Sequence, residues 1–404
     1  MINYESVRIG DLGKVVTGKT PKTDNPENFG SDHMFIGPTD LHKHFFISSS
    51  ERMVSTKGLE SIKGSVLNGV SVLVGCIGWD MGNVAIVEGK CVTNQQINSI
   101  TNIHDKYNPL YIYYWLKNKK DFLFQQASVT RTPILNKTDF SNIAVNVPKE
   151  RKYQNLVVDL LSTIDKKIEL NNHINAELEA MANTLYDYWF VQFDFPDANG
   201  KPYKASGGKM VYNDTLKREV PDGWEAVSVA QLVDIRTGKE DANFATENGE
   251  YHFFTCGEAS LRCDNYVFNG QAVLLAGNGS FSVKKFEGKF NAYQRTYVLM
   301  PRDELLFAPL YFAVNNRVTA LTSGSRGSIV KFITKGDIED IYVPLPKDRD
   351  LTFSKILSKN MNESSRLYEQ NLELIKLRDW LLPMLMNGQV TVKPSTESQE
   401  AQHG

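Results

Sequence analysis

The chain repeats itself. Val7, Ile9, Leu12, Val15 and Thr17-Gly18-Lys19 return as Val227, Val229, Leu232, Ile235 and Thr237-Gly238-Lys239. Asn68-Gly69 followed by Val72, Leu73 and Val74 returns as Asn269-Gly270 followed by Val273, Leu274 and Leu275. Glu88-Gly89-Lys90 with Gln95 downstream returns as Glu287-Gly288-Lys289 with Gln294, and Pro109-Leu110-Tyr111 as Pro309-Leu310-Tyr311. Lys137, Asp139, Ile143, Val145 and Pro148 then match Lys335, Asp337, Ile341, Val343 and Pro346. Chance supplies one such match but not an ordered series, so the chain is a tandem duplication of a globular block.

Each block leads into a long stretch of helical periodicity. From Glu150 to Phe190 no Gly or Pro interrupts, and Ile164, Lys167, Asn171, Ile174, Leu178, Met181 and Leu185 alternate at three and four residues, with Ile168 and Leu170 widening the stripe. Asn360, Glu363, Leu367, Gln370, Leu374, Leu377 and Leu381 repeat the alternation, with Pro383 and Gly388 expected to stop the helix. If the first block sits at the start of the first helix, the second helix can bury its stripe only by running back along the first. That predicts an antiparallel pair, a pseudo-two-fold relation between the blocks, and both chain ends near the first block. Helices of roughly 30 to 40 residues would make a spacer of about 45 to 60 Å. One turn of B-DNA is about 34 Å, so two domains on such a spacer could engage separate sites on one duplex, although a spacer serves any two domains.

Within each block, β-branched runs such as Val70 to Ile77, Val84 to Val87 and Ala272 to Ala276 read as strands, and Pro109 to Lys119 and Pro309 to Arg317 as short helices. The expected fold class is α+β, with two similar globular domains separated by the two long antiparallel helices. The expected divisions are 1–149 for the first domain, 150–192 for the first helix, 193–223 for a connector rich in Asp, Gly, Lys and Pro, 224–348 for the second domain and 349–390 for the second helix. Residues 391–404, rich in Ser, Glu and Gln, read as a disordered tail.

A length of 404 residues exceeds one ordinary core, and 41% hydrophobic with 23% charged residues describes a soluble globular protein. A formal net charge of -2 argues against gripping nucleic acid through bulk charge, so any such binding rests on local patches. No run approaches the roughly 20 apolar residues of a membrane span, and residues 1–8 lack a signal-peptide core, so a cytoplasmic location is expected. Cys76, Cys91, Cys256 and Cys263 form no metal-ligand spacing and read as idle thiols. The Gly200 to Met210 segment resembles a phosphate loop only in composition, since Met210 stands where Ser or Thr is needed and no apolar strand feeds it. Gly75, Gly78 and Gly82 lack the long helix of a dinucleotide fingerprint, and Asn108-Pro109-Leu110 is not the Asn-Pro-Pro-aromatic motif of a DNA methyltransferase. No catalytic signature and no cofactor site is read.

Recognition chemistry remains. Arg and Lys pair with guanine edges or phosphates, and Asn and Gln pair bidentately with adenine. Such residues collect near strand ends: Lys19, Trp79, Asn94, Gln95, Gln96, Arg131 and Lys137 in the first block, and Lys239, Asn278, Gln294, Arg295, Arg326 and Lys331 in the second. Each could equally be a solvated or capping side chain. Gln95 and Gln294, shared by both copies, suit a role in the common fold as well as they suit base reading, because domains that read different bases should differ where they touch them.

The chain resembles the specificity subunits of type I restriction-modification systems over nearly its whole length. The resemblance is carried by Thr17 to Pro21, Ile164 to Asn172, Leu185 to Phe195, Gly200 to Met210, Pro221 to Trp224 and Leu377 to Gly388. It implies two target-recognition domains that each read half of a split double-stranded DNA site, and conserved helices that set the gap. It further implies docking of methyltransferase (modification) subunits, two in number, which supply S-adenosylmethionine chemistry, with restriction subunits as further partners. On that reading the chain itself is not an enzyme. The alternatives are the specificity component of a related fused restriction-modification system, a catalytic methyltransferase or nuclease, and a tether of two domains that do not bind DNA.

Overall fold

The structure, a computed structural model, describes residues 2–42, 45–129, 132–322, 332–348, 350–351 and 353–392. Two compact units account for it: residues up to Asn171 together with those from Gln370 onward, and residues Asn172–Glu369.

The first unit is built on a five-stranded sheet in the order Lys14–Thr17, Ile97–Thr101, Ser71–Gly75, Val84–Val87 and Phe46–Ile47. Neighbours are antiparallel except the last pair, which is parallel. A second sheet of four short strands, including Phe29–Ile36 and Cys91–Thr93, extends from it. The helix Pro109–Lys117 covers the main sheet; Asn108 caps it, Pro109 starts it, and Tyr111 to Leu116 are all buried. A ribbon pairs Tyr4–Arg8 with Ala144–Pro148.

The second unit repeats this plan. Its six-stranded sheet runs Val233–Thr237, Thr296–Pro301, Phe268–Ala276, Val283–Ala292, Tyr251–Phe254 and Leu261–Cys263, and again Tyr251–Phe254 joins its longer neighbour in parallel. Phe307–Thr322 covers the sheet, and Trp224–Ser228 pairs with Tyr342–Pro346. The common order, with the parallel pair in the same place, is the structural counterpart of the sequence repeat. The connector contributes a hairpin, Met210–Asn213 with Arg218–Pro221, beside a stack of Trp189, Phe195, Tyr203, Trp224 and Phe353.

The long helices are Arg151–Tyr186, followed by a wider turn at Asp187–Val191, and Ser354–Met386. Within the first unit they run antiparallel, since Asp165 meets Arg378 while Asn171 meets Asn371. Val157, Val158 and Leu161 share that unit's core with Leu382, Leu385 and Met386. Within the second unit, Ala182 and Tyr186 share a core with Leu357 and Met361.

The buried stripe differs from the one expected. Lys167 is exposed, and Met181 and Leu377 are 54% and 44% exposed. Ile164, Asn171 and Leu367 are buried as expected, but Leu161, Asp165, Ala182 and Tyr186 join them from outside the expected stripe, as do Leu357, Met361, Ser364, Asn371 and Leu382. A strict three-four reading drifts by about 20° per heptad against a helix of 3.6 residues per turn, so two heptads beyond Asn171 the buried face has turned by about 40°, away from Met181 and toward Ala182 and Tyr186. Pro383 does not stop its helix, which continues to Met386. Gly388 does, at φ +70°, with Gln389 N–H bonding Met384 O and Gly388 N–H bonding Leu385 O in a Schellman arrangement. Of the expected disordered tail, 391–404, residues 393–404 lie outside the described residues.

Candidate functional site

In the first unit four loops meet at one end of the main sheet. Gly18 N–H bonds Ile97 O at 3.0 Å, Cys76 N–H bonds Gln96 O at 2.8 Å, Leu135 N–H bonds Cys76 O at 2.9 Å and Gly78 N–H bonds Pro133 O at 3.0 Å. The second unit makes three of these four bonds: Gly238 N–H to Thr296 O at 3.2 Å, Gly277 N–H to Arg295 O at 2.9 Å and Ile333 N–H to Gly277 O at 2.8 Å. The glycine of the repeated Thr-Gly-Lys has a steric cause. A Cβ on Gly18 would overlap the carbonyl oxygens of Thr93 and Asn94, and one on Gly238 those of Ala292 and Tyr293. That close approach seats Lys19 and Lys239 beside the turns that carry Gln95 and Gln294.

The framework is therefore shared, and its side chains divide into two groups. Lys19 and Lys239 are exposed at equivalent places, as are Gln95 and Gln294. Gln95 accepts a hydrogen bond from Thr20 Oγ1 at 2.8 Å, so its carbonyl braces its own loop. Other positions differ between the copies: Asn94 faces Tyr293 in the alignment of the two turns, Gln96 faces Arg295 and Trp79 faces Ser280. Asn94 is half-buried, and its Oδ1 accepts from Gln96 N–H, which makes it a turn former. Arg295 is exposed, and Asn278 is half-buried next to Gly277. Lys137 is the first residue of the helix Lys137–Asn142, exposed and capped by Asn136; its counterpart Lys335 follows the capping residue Thr334. Arg131, Arg326 and Lys331 lie outside the described residues.

Trp79 is the most exposed large apolar side chain of the described residues, at 70%, with its ring 6.1 Å from that of Phe124. Around it lies a polar group that sequence reasoning missed. His42 Nε2 meets Asp80 Oδ2 at 2.6 Å, and Lys120 Nζ donates to Asn83 Oδ1 at 2.9 Å. Asp80 and Asn83 follow Trp79 so closely that the tryptophan itself was the available signal; His42 and Lys120 join only through the fold. In the second unit Ser280 Oγ donates to Cys256 O at 2.7 Å and adds the 255–260 loop to the same end of the sheet.

The three buried thiols fit no nucleophile. Burial pushes those of Cys76 and Cys91 up to about 12, and burial also raises that of Cys263. No described helix is long and apolar enough to cross a membrane. What the arrangement offers is an exposed edge of cationic, amide and aromatic side chains on a hydrogen-bonded loop framework, with the donors and acceptors to hydrogen-bond a large polar partner.

Comparison with known proteins adds three findings. A sequence profile described as Type I restriction modification DNA specificity domain matches residues 1–180 and 221–377. The specificity subunit of the type I restriction enzyme EcoDI from Escherichia coli is 40% identical over 181 residues, which is 43% of this chain and 40% of that protein. That of MjaIX from Methanocaldococcus jannaschii is 25% identical over 422 residues, spanning 97% of this chain and 94% of the relative. Among solved structures, the crystal structure of a type I restriction-modification system S subunit from M. genitalium superposes with a TM-score of 0.65 at 14% identity, covering 95% of this chain and 96% of that one.

Proposed function

Because the chain belongs to the type I restriction modification DNA specificity family, we propose that it is the DNA sequence-recognition subunit of such a complex, each unit reading one half of a bipartite target. The observation that carries this reading is the pair of matching loop frameworks whose side chains diverge at chosen places. Backbone frameworks sharing three inter-loop bonds that present Gln96 in one copy and Arg295 in the other are what two readers of different half-sites require. Gln offers a bidentate match to adenine and Arg one to guanine. Lys19, Lys239 and Lys137, constant or nearly so between copies, serve phosphates, and Trp79 supplies a broad apolar contact beside them. Arg326 and Arg131 belong to the same set by their place in the sequence.

The chain is the non-catalytic member of the complex. Two methyltransferase subunits dock on the long helices and supply the chemistry, restriction subunits complete the assembly, and the helices hold the two half-sites at one gap. This division of labour accords with a near-neutral charge, since the phosphate grip is shared with partners.

Base-resolved mapping of DNA methylation in cells that express the chain with its methyltransferase partner tests the reading. A single split sequence, methylated in both halves, is expected. No sequence preference together with no salt-dependent DNA affinity would instead favour the tether reading.

A further inference from the structure

A buried polar ladder joins the long helices within the first unit. Asn171, fully buried, donates from Nδ2 to Asn371 Oδ1 at 2.8 Å and to Gln370 Oε1 at 2.9 Å. Asn371 is 5% exposed. Two turns away, Asp165, 4% exposed, accepts from Arg378 Nη1 at 2.8 Å on one oxygen and from Tyr114 O–H at 2.7 Å on the other. Tyr114 is itself fully buried in the helix that covers the first sheet. Burial opposes the charge on Arg378, but Asp165 and Asp379 outweigh it and raise its pKa.

Stability alone would not select these residues. Buried ion pairs are often no better than apolar side chains of similar volume. Moreover, Asn171 Oδ1 has no hydrogen-bond partner among the described residues, a debit that an apolar residue would not carry. Polar seam positions do, however, discriminate between helix staggers. A run of Leu and Ile packs nearly as well after a slip of one turn, whereas an Asn or an Asp that loses its partner is left buried and unpaired.

We infer that the Asn171–Asn371 pair and the Tyr114–Asp165–Arg378 chain are the register lock of the helix pair. This inference rests on the proposed function: by fixing the stagger, these residues select the one gap between half-sites that the protein accepts. Tyr114 extends the lock from the helices to the first recognition domain, so domain and stagger are set together.

The test uses the full-length chain with all five locking residues made apolar: Y114F, D165L, R378M, N171L and N371L. A second variant carries only N171L and N371L. Thermal melting establishes that each folds, and nitroxide labels at the exposed positions 152 and 376, both in the first unit and offset along the helix axis by about 20 Å, report the stagger by pulsed electron spin resonance. The wild type is expected to give one distance. The fully apolar variant is expected to fold and to add populations displaced by about one helical turn, ~5.4 Å. With the methyltransferase partner, its preference for the mapped gap over gaps one base pair longer or shorter should fall by about tenfold or more. A well-folded apolar variant with one label distance and undiminished gap preference would overturn the inference. If the apolar chain does not fold, the two-residue variant decides by the same readouts. A wild type that shows no gap preference would instead overturn the functional reading itself, while the label distances still judge the lock.

Discussion

Gln96 and Arg295 occupy one backbone position in two copies of a loop, each with its carbonyl bonded to the strand-end residue opposite, Cys76 or Gly277. A side chain held on so constrained a peptide is a natural place for sequence reading, because the main chain cannot shift to accommodate the wrong base. Arg295→Ala is expected to lose about 1–3 kcal/mol of base discrimination at one position of one half-site, leaving the other half unchanged. Gln96→Ala should do the same in the opposite half, and selection from a randomised DNA pool reads both. Lys19→Ala, by contrast, should weaken binding to all sequences alike and lower the salt slope by about 1.

The cysteines make a second prediction at this scale. Cys76 and Cys91 are held as thiols up to about 12, whereas unfolded thiols ionise near 8.5. The folded state therefore binds these protons more tightly, and the associated stability is intact below about 8.5 and lost progressively as pH rises toward 12. Alkylation at pH 8.5 should label Cys256, which is half-exposed, and spare Cys76 and Cys91 until the chain is denatured. Mass spectrometry of the native and unfolded protein checks it.

At the scale of elements, the long helices are where pattern reading succeeded in part. Their existence and direction followed from uninterrupted periodicity and from the duplication. Their buried faces did not, because Asp165 and Arg378 look like surface residues until each supplies the other's partner across 213 positions. Nor was the passage through Pro383 legible: its ring removes one N–H, yet the adjoining apolar residues Leu382, Leu385 and Met386 are buried and hold the turn in place. Inserting one turn, four residues or about 6 Å, into both helices should lengthen the accepted gap by about two base pairs without altering the bases read. Methylation of a series of synthetic gaps measures the change, and unaltered spacing would count against helices as the determinant of the gap.

For the whole molecule, each unit has its own sheet, covering helix and core, so specificity should be modular. Replacing residues 215–348 by the matching block of a relative is expected to exchange one half of the recognised sequence and preserve the other, as methylation mapping would show. The first and last described stretches, beginning at residue 2 and ending at residue 392, both belong to the first unit, where Tyr4 lies against Gly388. A circular permutant that joins these ends and opens the chain in the turn between Asn213 and Arg218 should therefore fold, with an unfolding midpoint close to that of the parent. Opening it instead within the aromatic stack of Trp189, Phe195, Tyr203 and Trp224 should not be tolerated.

The duplication, the α+β class and the loops that carry the candidate residues were determined by the sequence itself. Each depends on local requirements that must recur wherever the same backbone recurs: a glycine that cannot bear a Cβ, a capping Asn or Thr, and a β-branched run that fills a sheet. Other features were decided only by tertiary structure. These are the helix faces that meet, the bracing of Gln95 by Thr20, and the gathering of His42 and Lys120 around Trp79. In each case the identity of a neighbour brought from far along the chain determines whether a polar side chain is buried and paired or left facing solvent, and no local pattern encodes that neighbour.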